Sequence, residues 1–347
     1  MTADRPLVSV VVPNYNFAVS LSHCLRSIQR QTYQPLELIM VDDGSTDNSV
    51  EVAEQLGVRV IHTERNQGAG AARNLGAEHA RGDTLVFVDS DVAIYPDAIE
   101  VAVAMLADNP RLGAVCSIHD PEPLIRDSRF EEYRSLQYYY WVASSEGPIS
   151  FLFSAMCAIP RSVFEEIGPF KPWLRHNDEV DYGQRLTQRY EMVLTSTVRS
   201  RQDHDEALRP LLRKMFRRAR DRVPLYAQRR RFARGFETSN RAGGSLAALA
   251  AVGTAPAPFM LGPAGAALPA FALAVSVVAD LGMYRFVQRR RGTLFLLYFG
   301  AMQFVINISI AAGVLVGVGR WFCSARFRRF YEPDRRRHPL AAGEIST

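Results

Sequence analysis

Four short runs of β-branched and aliphatic residues, each stopping at a polar cluster, set the tightest limit on how this chain folds. Leu7–Val12 stops at Pro13 and Asn14, Leu36–Val41 at Asp42 and Asp43, Val58–His62 shortly before Asn66, and Thr84–Asp89 at Ser90 and Asp91. Runs of this length bounded by turn residues read as buried strands. Between them, Leu21, Cys24, Leu25 and Ile28 recur at helical spacing, and Ser45 to Asp47 offer caps for a helix through Leu56. A glycine-containing loop at 66–70 feeds a helix to about Ala80, and another helix is expected from Pro96 to Ala107. Such alternation with short connections predicts a mostly parallel sheet flanked by helices. Ligands of these sheets lie beyond the carboxyl ends of the strands. The clusters Pro13–Asn16, Asp42–Ser45, Asn66–Asn74 and Asp89–Asp91 all fall there.

Further along, Phe151–Ile159 reads as a strand and Arg161–Ile167 as a short helix. Asn177–Tyr190 reads as a helix with acids in its first turn, where the helix dipole favours them. From 208 to 219 an apolar stripe of Leu208, Leu211, Leu212, Met215, Phe216 and Ala219 shares its helix with six basic residues. That pattern suits a helix in a membrane interface, or one packed on its own domain.

Composition changes sharply near residue 242. Residues 245–281 and 293–319 are almost free of charge, and basic residues crowd the flanking segments 199–241, 285–291 and 320–337. The net charge is +5, and Lys occurs only at Lys171 and Lys214. Arginines beside apolar stretches point to an anionic lipid surface, and without interleaved aromatic residues they do not form a nucleic-acid stacking platform. The four cysteines form no C-x-x-C pair, which argues against a zinc site or a disulfide framework. The polar opening residues followed by a short apolar run do not make a secretory signal, so the N-terminal domain is expected in the cytosol.

The clusters have definite chemistry. Asp89 and Asp91, two residues apart at a strand end, can share a Mg²⁺ or Mn²⁺ ion bound to a diphosphate, although any acidic turn supplies the same pair. Asp42 and Asp43 can accept from a base nitrogen or a ribose hydroxyl, or simply cap a turn. Arg73 can meet a base or a diphosphate, or be solvated.

Together, VSVVVPNYN (8–16), VDDGSTDNS (41–49), NQGAGAARN (66–74), FVDSD (87–91) and NDEVDYGQRL (177–186), the last preceded by IPRSVFEEIGPF (159–170), resemble the family 2 inverting glycosyltransferases. The resemblance covers about residues 7–205 and implies the GT-A fold, a Rossmann-like sheet flanked by helices. It implies a nucleotide-sugar donor, with Pro13, Tyr15, Asn16, Asp43 and Arg73 lining the nucleotide site. Asp89 would touch ribose and metal, Asp91 would bind metal, and His204 would complete the metal site. In the family the second acid of the fifth motif is the general base. Here that position is Glu179, with Asp178 as the alternative. A base is needed because the acceptor hydroxyl loses its proton as it attacks, and one base opposite the leaving group implies inversion.

The expected organisation is a catalytic domain over 1–205, basic amphipathic helices over 206–241, a transmembrane region over 242–320 and a basic cytosolic tail over 321–347. The apolar stretches predict an even number of crossings, two full ones plus a re-entrant or interfacial piece, in a multi-pass protein of the cell membrane. The expected partners are a lipid-linked saccharide or polysaccharide acceptor of the cell envelope, or a polyprenyl phosphate, together with membrane lipids. A non-catalytic subunit that binds sugar nucleotide is the alternative from another class.

Overall fold

The computed structural model describes residues 5–204, 207–229 and 239–329. The chain forms two compact units, the first ending at Leu208 and the second beginning at Arg209. The C-terminal part of the expected tail, 330–347, and residues 206 and 230–238 of the expected basic segment lie outside the described residues.

The first unit opens with β1 (Val8–Asn14), α1 (Ala18–Gln29), β2 (Leu36–Asp42), α2 (Ser49–Gln55), β3 (Arg59–His62), α3 (Ala69–His79) and β4 (Thr84–Val88). It continues with β5 (Val92–Ile94), α4 (Ala98–Asp108), β6 (Leu112–His119), α5 (Arg129–Ala143), β7 (Gly147–Pro148) and β8 (Met156–Pro160). It closes with α6 (Arg161–Ile167), a 3₁₀ turn over Pro172–Asn177, α7 (Asp178–Leu186) and β9 (Glu191–Gln202). One sheet runs in the order β3-β2-β1-β4-β8-β6-β9-β5, with β7 paired to β9.

β1 is buried along its whole length, as expected for a strand covered on both faces. Its side chains alternate between two cores: Val11 packs with Ile39, Val41, Phe87 and Phe170, whereas Val10 and Val12 pack with Leu21, Leu25, Met40 and Val86. Parallel register sets Asn14 opposite Asp42 and Val11 opposite Phe87. The polar clusters that follow these strands therefore emerge at one edge, and this is how the sheet gathers residues distant in sequence.

The expectation of a mostly parallel sheet holds for β3-β2-β1-β4, and beyond them only for the β6–β9 pair. β1–β2, β2–β3, β1–β4 and β6–β9 are parallel, but β4–β8, β6–β8, β5–β9 and β7–β9 are antiparallel. For the first two of these the cause is β8, which starts at the rim, where Asp89 N donates to Ala155 O at 2.9 Å, and runs back between β4 and β6. The strand expected over 151–159 begins only at Met156, and the helix expected to reach Tyr190 ends at Leu186.

The second unit is helical: α8 (Leu208–Arg229), α9 (Ser239–Gly253), α10 (Ala257–Leu261), α11 (Ala267–Val278), α12 (Leu281–Cys323) and α13 (Ala325–Arg328). Gly292 breaks α12 with φ 81° and ψ 176°, a conformation glycine adopts without steric cost. Behind this break the helix continues through the apolar stretch 293–319. Inside the unit, Gln303 Nε2 and Ser245 Oγ donate to Asn307 Oδ1 at 2.9 and 3.3 Å, and Arg241 pairs with Asp280 at 3.1 Å. These polar contacts fix helices whose apolar faces alone would specify little.

Among the described residues only α12 is long and apolar enough to cross a bilayer. α9 has 15 residues and α11 has 12. At 1.5 Å per residue neither reaches the roughly 30 Å of a hydrocarbon core. The two full crossings expected from the sequence are thus replaced by one long helix and two short ones. The turn around Pro256, Pro258, Gly262 and Pro263 divides a stretch too short to be split into spans.

Candidate functional site

The rim is assembled by side chains that tie loop to loop. Asn16 sits at φ 59°, which Asn tolerates better than most residues. Its Oδ1 accepts from Thr46 N at 2.7 Å and its own N–H donates to Ser45 Oγ at 3.0 Å. Asn14 Nδ2 donates to the same hydroxyl at 3.1 Å. Pro13 and Asn14 are buried, whereas Tyr15 stands 43 % exposed, its ring open for stacking.

Asp43 faces inward. Its carboxylate accepts from Thr63 Oγ1 at 2.9 Å, Gln67 N at 2.9 Å and Gly68 N at 2.7 Å. It thereby anchors the loop that starts α3 and sets the orientation of that helix.

Arg73, on α3, is the centre of the site. Its buried guanidinium donates to Asp89 Oδ1 at 2.6 Å and lies 3.7 Å from Asp178 Oδ2 and 4.0 Å from Glu179 Oε1. The Phe170 ring lies against it, with the guanidinium carbon 5.6 Å from the ring centre. Burial alone disfavours its charge, but Asp89, Asp178 and Glu179 together hold its proton more tightly than usual. A reciprocal pair fixes this geometry: Asn74 Nδ2 donates to Phe170 O and Phe170 N donates to Asn74 Oδ1, both at 2.9 Å. The segment that leads through the 3₁₀ turn into α7 is thus pinned to α3.

The three acids of α7 differ in role. Asp181 is held by Lys171 Nζ and Arg185 Nε, each at 2.8 Å. The Asp178 side chain is 3 % exposed and that of Glu179 20 %. Ser154 Oγ, at the entry to β8, donates to Glu179 Oε1 in a short hydrogen bond, leaving Oε2 for other work. Asp178 lies so close to α3 that a Cβ on Gly70 would stand 2.5 Å from its Oδ2. We expect Gly70→Ala to cost about 1–3 kcal/mol in stability, read by urea unfolding, because its methyl pushes Asp178 off Arg73.

Burial pushes the Asp178 carboxyl up to about 7 even though Arg73 opposes the shift. The folded chain then holds a proton that the unfolded chain releases near pH 4, so this group favours folding in acid and weakens it as pH rises toward 7. The expected slope is up to about 1.4 kcal/mol per pH unit across that window. Urea midpoints from pH 4.5 to 7.5 should fall less steeply in Asp178→Asn than in the wild type.

Asp89 keeps 27 % of its side chain exposed beside Arg73. Asp91 Oδ2 accepts from Gln202 Nε2 at 3.1 Å, and Asp91 O accepts from Asp203 N at 2.8 Å, which brings the chain leading to His204 against the acidic turn. The His204 ring packs 5.4 Å from that of Tyr138. Among the described residues no three His, Cys, Asp or Glu side chains already converge as a metal cluster. Of the residues singled out from sequence, Arg73, Asp89, Asp178 and Glu179 meet directly, Asn16 and Asp43 build the loops around them, and Asp91 and His204 lie on adjoining segments. Sequence reasoning missed Ser154, Phe170 and Asn74. Ser154 leaves a trace as a hydroxyl inside the apolar run 151–159, and Asn74 and Phe170 close two of the quoted motifs without a role being assigned to them.

Residues 9–168 match the family described as Glycosyl transferase family 2. An uncharacterized glycosyltransferase of Haemophilus influenzae is 40% identical over 111 residues, 30% of this chain and 44% of that protein. Glycosyltransferase GlyG of Streptococcus pneumoniae is 46% identical over 99 residues, 27% and 33% of the two chains. These matches span a third to under half the length of the relatives. The mannosyltransferase PcManGT from Pyrobaculum calidifontis, solved with GDP-Man and Mn²⁺, superposes with a TM-score of 0.57 at 21% identity, covering 90% of this chain and 87% of that one. The mixed sheet with its flanking helices is accordingly a GT-A-like fold, and residues 9–168 are similar to glycosyltransferase family 2.

Proposed function

We propose that this chain is an inverting glycosyltransferase that moves a sugar from a nucleotide-sugar to a membrane-associated acceptor, a lipid-linked saccharide or polysaccharide of the cell envelope. The observation that carries this reading is Arg73, whose buried guanidinium joins the Asp89 end of β4 to the Asp178–Glu179 start of α7. One cation thus sets a donor-side acid beside a candidate base.

In this mechanism Glu179 Oε2 takes the proton of the acceptor hydroxyl as that oxygen bonds to the anomeric carbon. The bond from that carbon to the diphosphate breaks and its electron pair leaves with the nucleoside diphosphate. Ser154 fixes the other carboxylate oxygen, so the base is oriented before the acceptor arrives. Asp178 is too buried to reach an acceptor and positions Arg73 instead. Tyr15 offers the base a stacking face, and the loops held by Asn16 and Asp43 shape the nucleotide side. The donor set fits a divalent cation: Asp89 and Asp91 are hard oxygen ligands on one turn, backed by a segment that leads to His204. These three would hold Mg²⁺ or Mn²⁺, which when bound neutralises the departing diphosphate.

The second unit supports association with a membrane. Phe259, Met260, Phe271, Leu294, Leu297 and Phe322 are all exposed, which is unusual for large side chains facing water. The catalytic unit then lies on the cytosolic side, with the acceptor presented at the bilayer.

The test is nucleoside diphosphate release by purified full-length protein with a panel of nucleotide-sugars and Mn²⁺, with GDP-mannose among the first donors tried. Release that depends on donor and acceptor supports the reading. No release with any donor, while the cellular glycan survives Glu179→Gln, favours a non-catalytic subunit. Ser154→Ala should lower kcat about tenfold or more, the worth of one hydrogen bond to a charged group, and leave donor KM unchanged. A donor KM raised along with the fall in kcat would assign Ser154 to packing instead.

A further inference from the structure

The seam between α8 and α12, inside the second unit, has a regular build. Ser309, Gly313 and Gly317 recur every four residues on α12 and meet α8 at the same interval. Ser309 Oγ donates to Leu212 O at 2.8 Å, a Cβ on Gly313 would strike the Phe216 carbonyl, and a Cβ on Gly317 would lie 2.7 Å from Arg220 O. The helices therefore run in parallel along this stretch at backbone-to-backbone contact, which only small residues permit.

That register places arginines along one edge of the seam. A groove of about 270 Å³ is lined by Leu212, Arg213, Phe216, Arg217, Arg220 and Ser309. Arg220 is committed to Asp221, with its guanidinium 2.6 and 2.9 Å from the two carboxylate oxygens. Arg213 and Arg217 are exposed, one turn apart, and among the described residues neither has an ion pair or hydrogen bond. On α12, Leu315 and Val316 within the same stretch, and Val318 and Phe322 just after it, are exposed apolar residues. Guanidinium groups bind phosphate oxygens through paired N–H donors, and the exposed apolar residues suit acyl chains.

We propose that this groove is a headgroup site for an anionic phospholipid, its phosphate held by Arg213 and Arg217 with its chains along α12. The inference rests on the membrane reading of the second unit and adds a defined site to it. Unpartnered arginines carry the argument: in water they are merely solvated, but at a bilayer surface each gains from a phosphate within reach.

The experiment uses full-length protein. Flotation with phosphatidylglycerol vesicles first tests the membrane reading, and failure of the wild type to float overturns both. Titration with phosphatidylglycerol in neutral detergent micelles, read by native mass spectrometry, then tests the groove. Arg213→Gln/Arg217→Gln should bind phosphatidylglycerol about tenfold more weakly than the wild type. Arg285→Gln/Arg289→Gln removes equal charge from exposed positions elsewhere on α12 and should change binding less than about twofold. Equal losses in both variants, or no loss in either, would overturn the groove while leaving flotation intact. Glycerol phosphate competing as well as the lipid would show a site for a free phosphate, and would also overturn the proposal. All four positions are exposed, so the variants should fold, which circular dichroism checks.

Discussion

Arg73→Ala is expected to abolish transfer and to destabilise the fold by about 3–5 kcal/mol, the cost of removing one partner from a buried charged cluster. In the native chain one guanidinium serves three carboxylates, within 2.6 Å of Asp89, 3.7 Å of Asp178 and 4.0 Å of Glu179. Without it, three acids crowd one partly desolvated space, and at least one must take a proton or swing away. The unfolding midpoint should then rise as pH falls, the sign expected when the folded state gains protons. Arg73→Lys should recover part of the stability and little of the activity, because a single ammonium cannot span both sides as a planar fork does. Near wild-type kcat in Arg73→Ala would show that the link across the site is incidental.

Glu179→Gln should lower kcat by about 10²–10⁴-fold, the usual contribution of a general base, with donor affinity kept. The neutral amide still accepts from Ser154 but cannot take the acceptor proton. Asp178→Asn should be milder in kcat and should chiefly alter the pH dependence of stability, because that carboxyl is already held near 7 by burial. The reverse ranking would make Asp178 the base. Single-turnover kinetics with saturating donor separates the two outcomes, since it isolates the chemical step from binding.

Much of the site was legible because strand ends are legible. A β-branched run that stops at an acid marks the carboxyl edge of a parallel sheet, and parallel register then brings Asn14, Asp42 and Asp89 to the same side. What sequence could not provide is the direction each side chain takes. Asp43 could have faced a base or its own loop, and it bonds Gln67 N and Gly68 N. Arg73 could have been a solvated surface residue, and it is buried instead. The acids of α7 read as one cluster, and only packing distributes them among Arg73, Ser154 and Lys171.

Elements were missed for a related reason. α5 buries Glu131, Glu132, Arg134 and Gln137 alongside Tyr133, so its polar and apolar residues show no helical periodicity. Arg134 Nη1 donates to Gln137 Oε1 and Gln137 Nε2 to Tyr133 Oη, both at 2.7 Å, a network invisible to pattern reading. β6 and β9 pair across some 80 residues of chain, with register shifts that break simple alternation. In the second unit the break at Gly292 stood at the composition boundary, and the proline-rich turn from Pro256 to Pro263 separates α9 from α11 within one apolar stretch.

The central claim is that these distant loops form one site for a cation-bound sugar donor beside Glu179. A structure of the full-length protein with a nucleoside diphosphate and Mn²⁺, read by anomalous scattering, tests it most directly. The expected result is a manganese peak at the carboxylates of Asp89 and Asp91, with the diphosphate against it and Glu179 facing the open acceptor side. Manganese and diphosphate bound elsewhere, with the Asp89–Arg73 contact undisturbed and no ion at Asp91, would contradict the account.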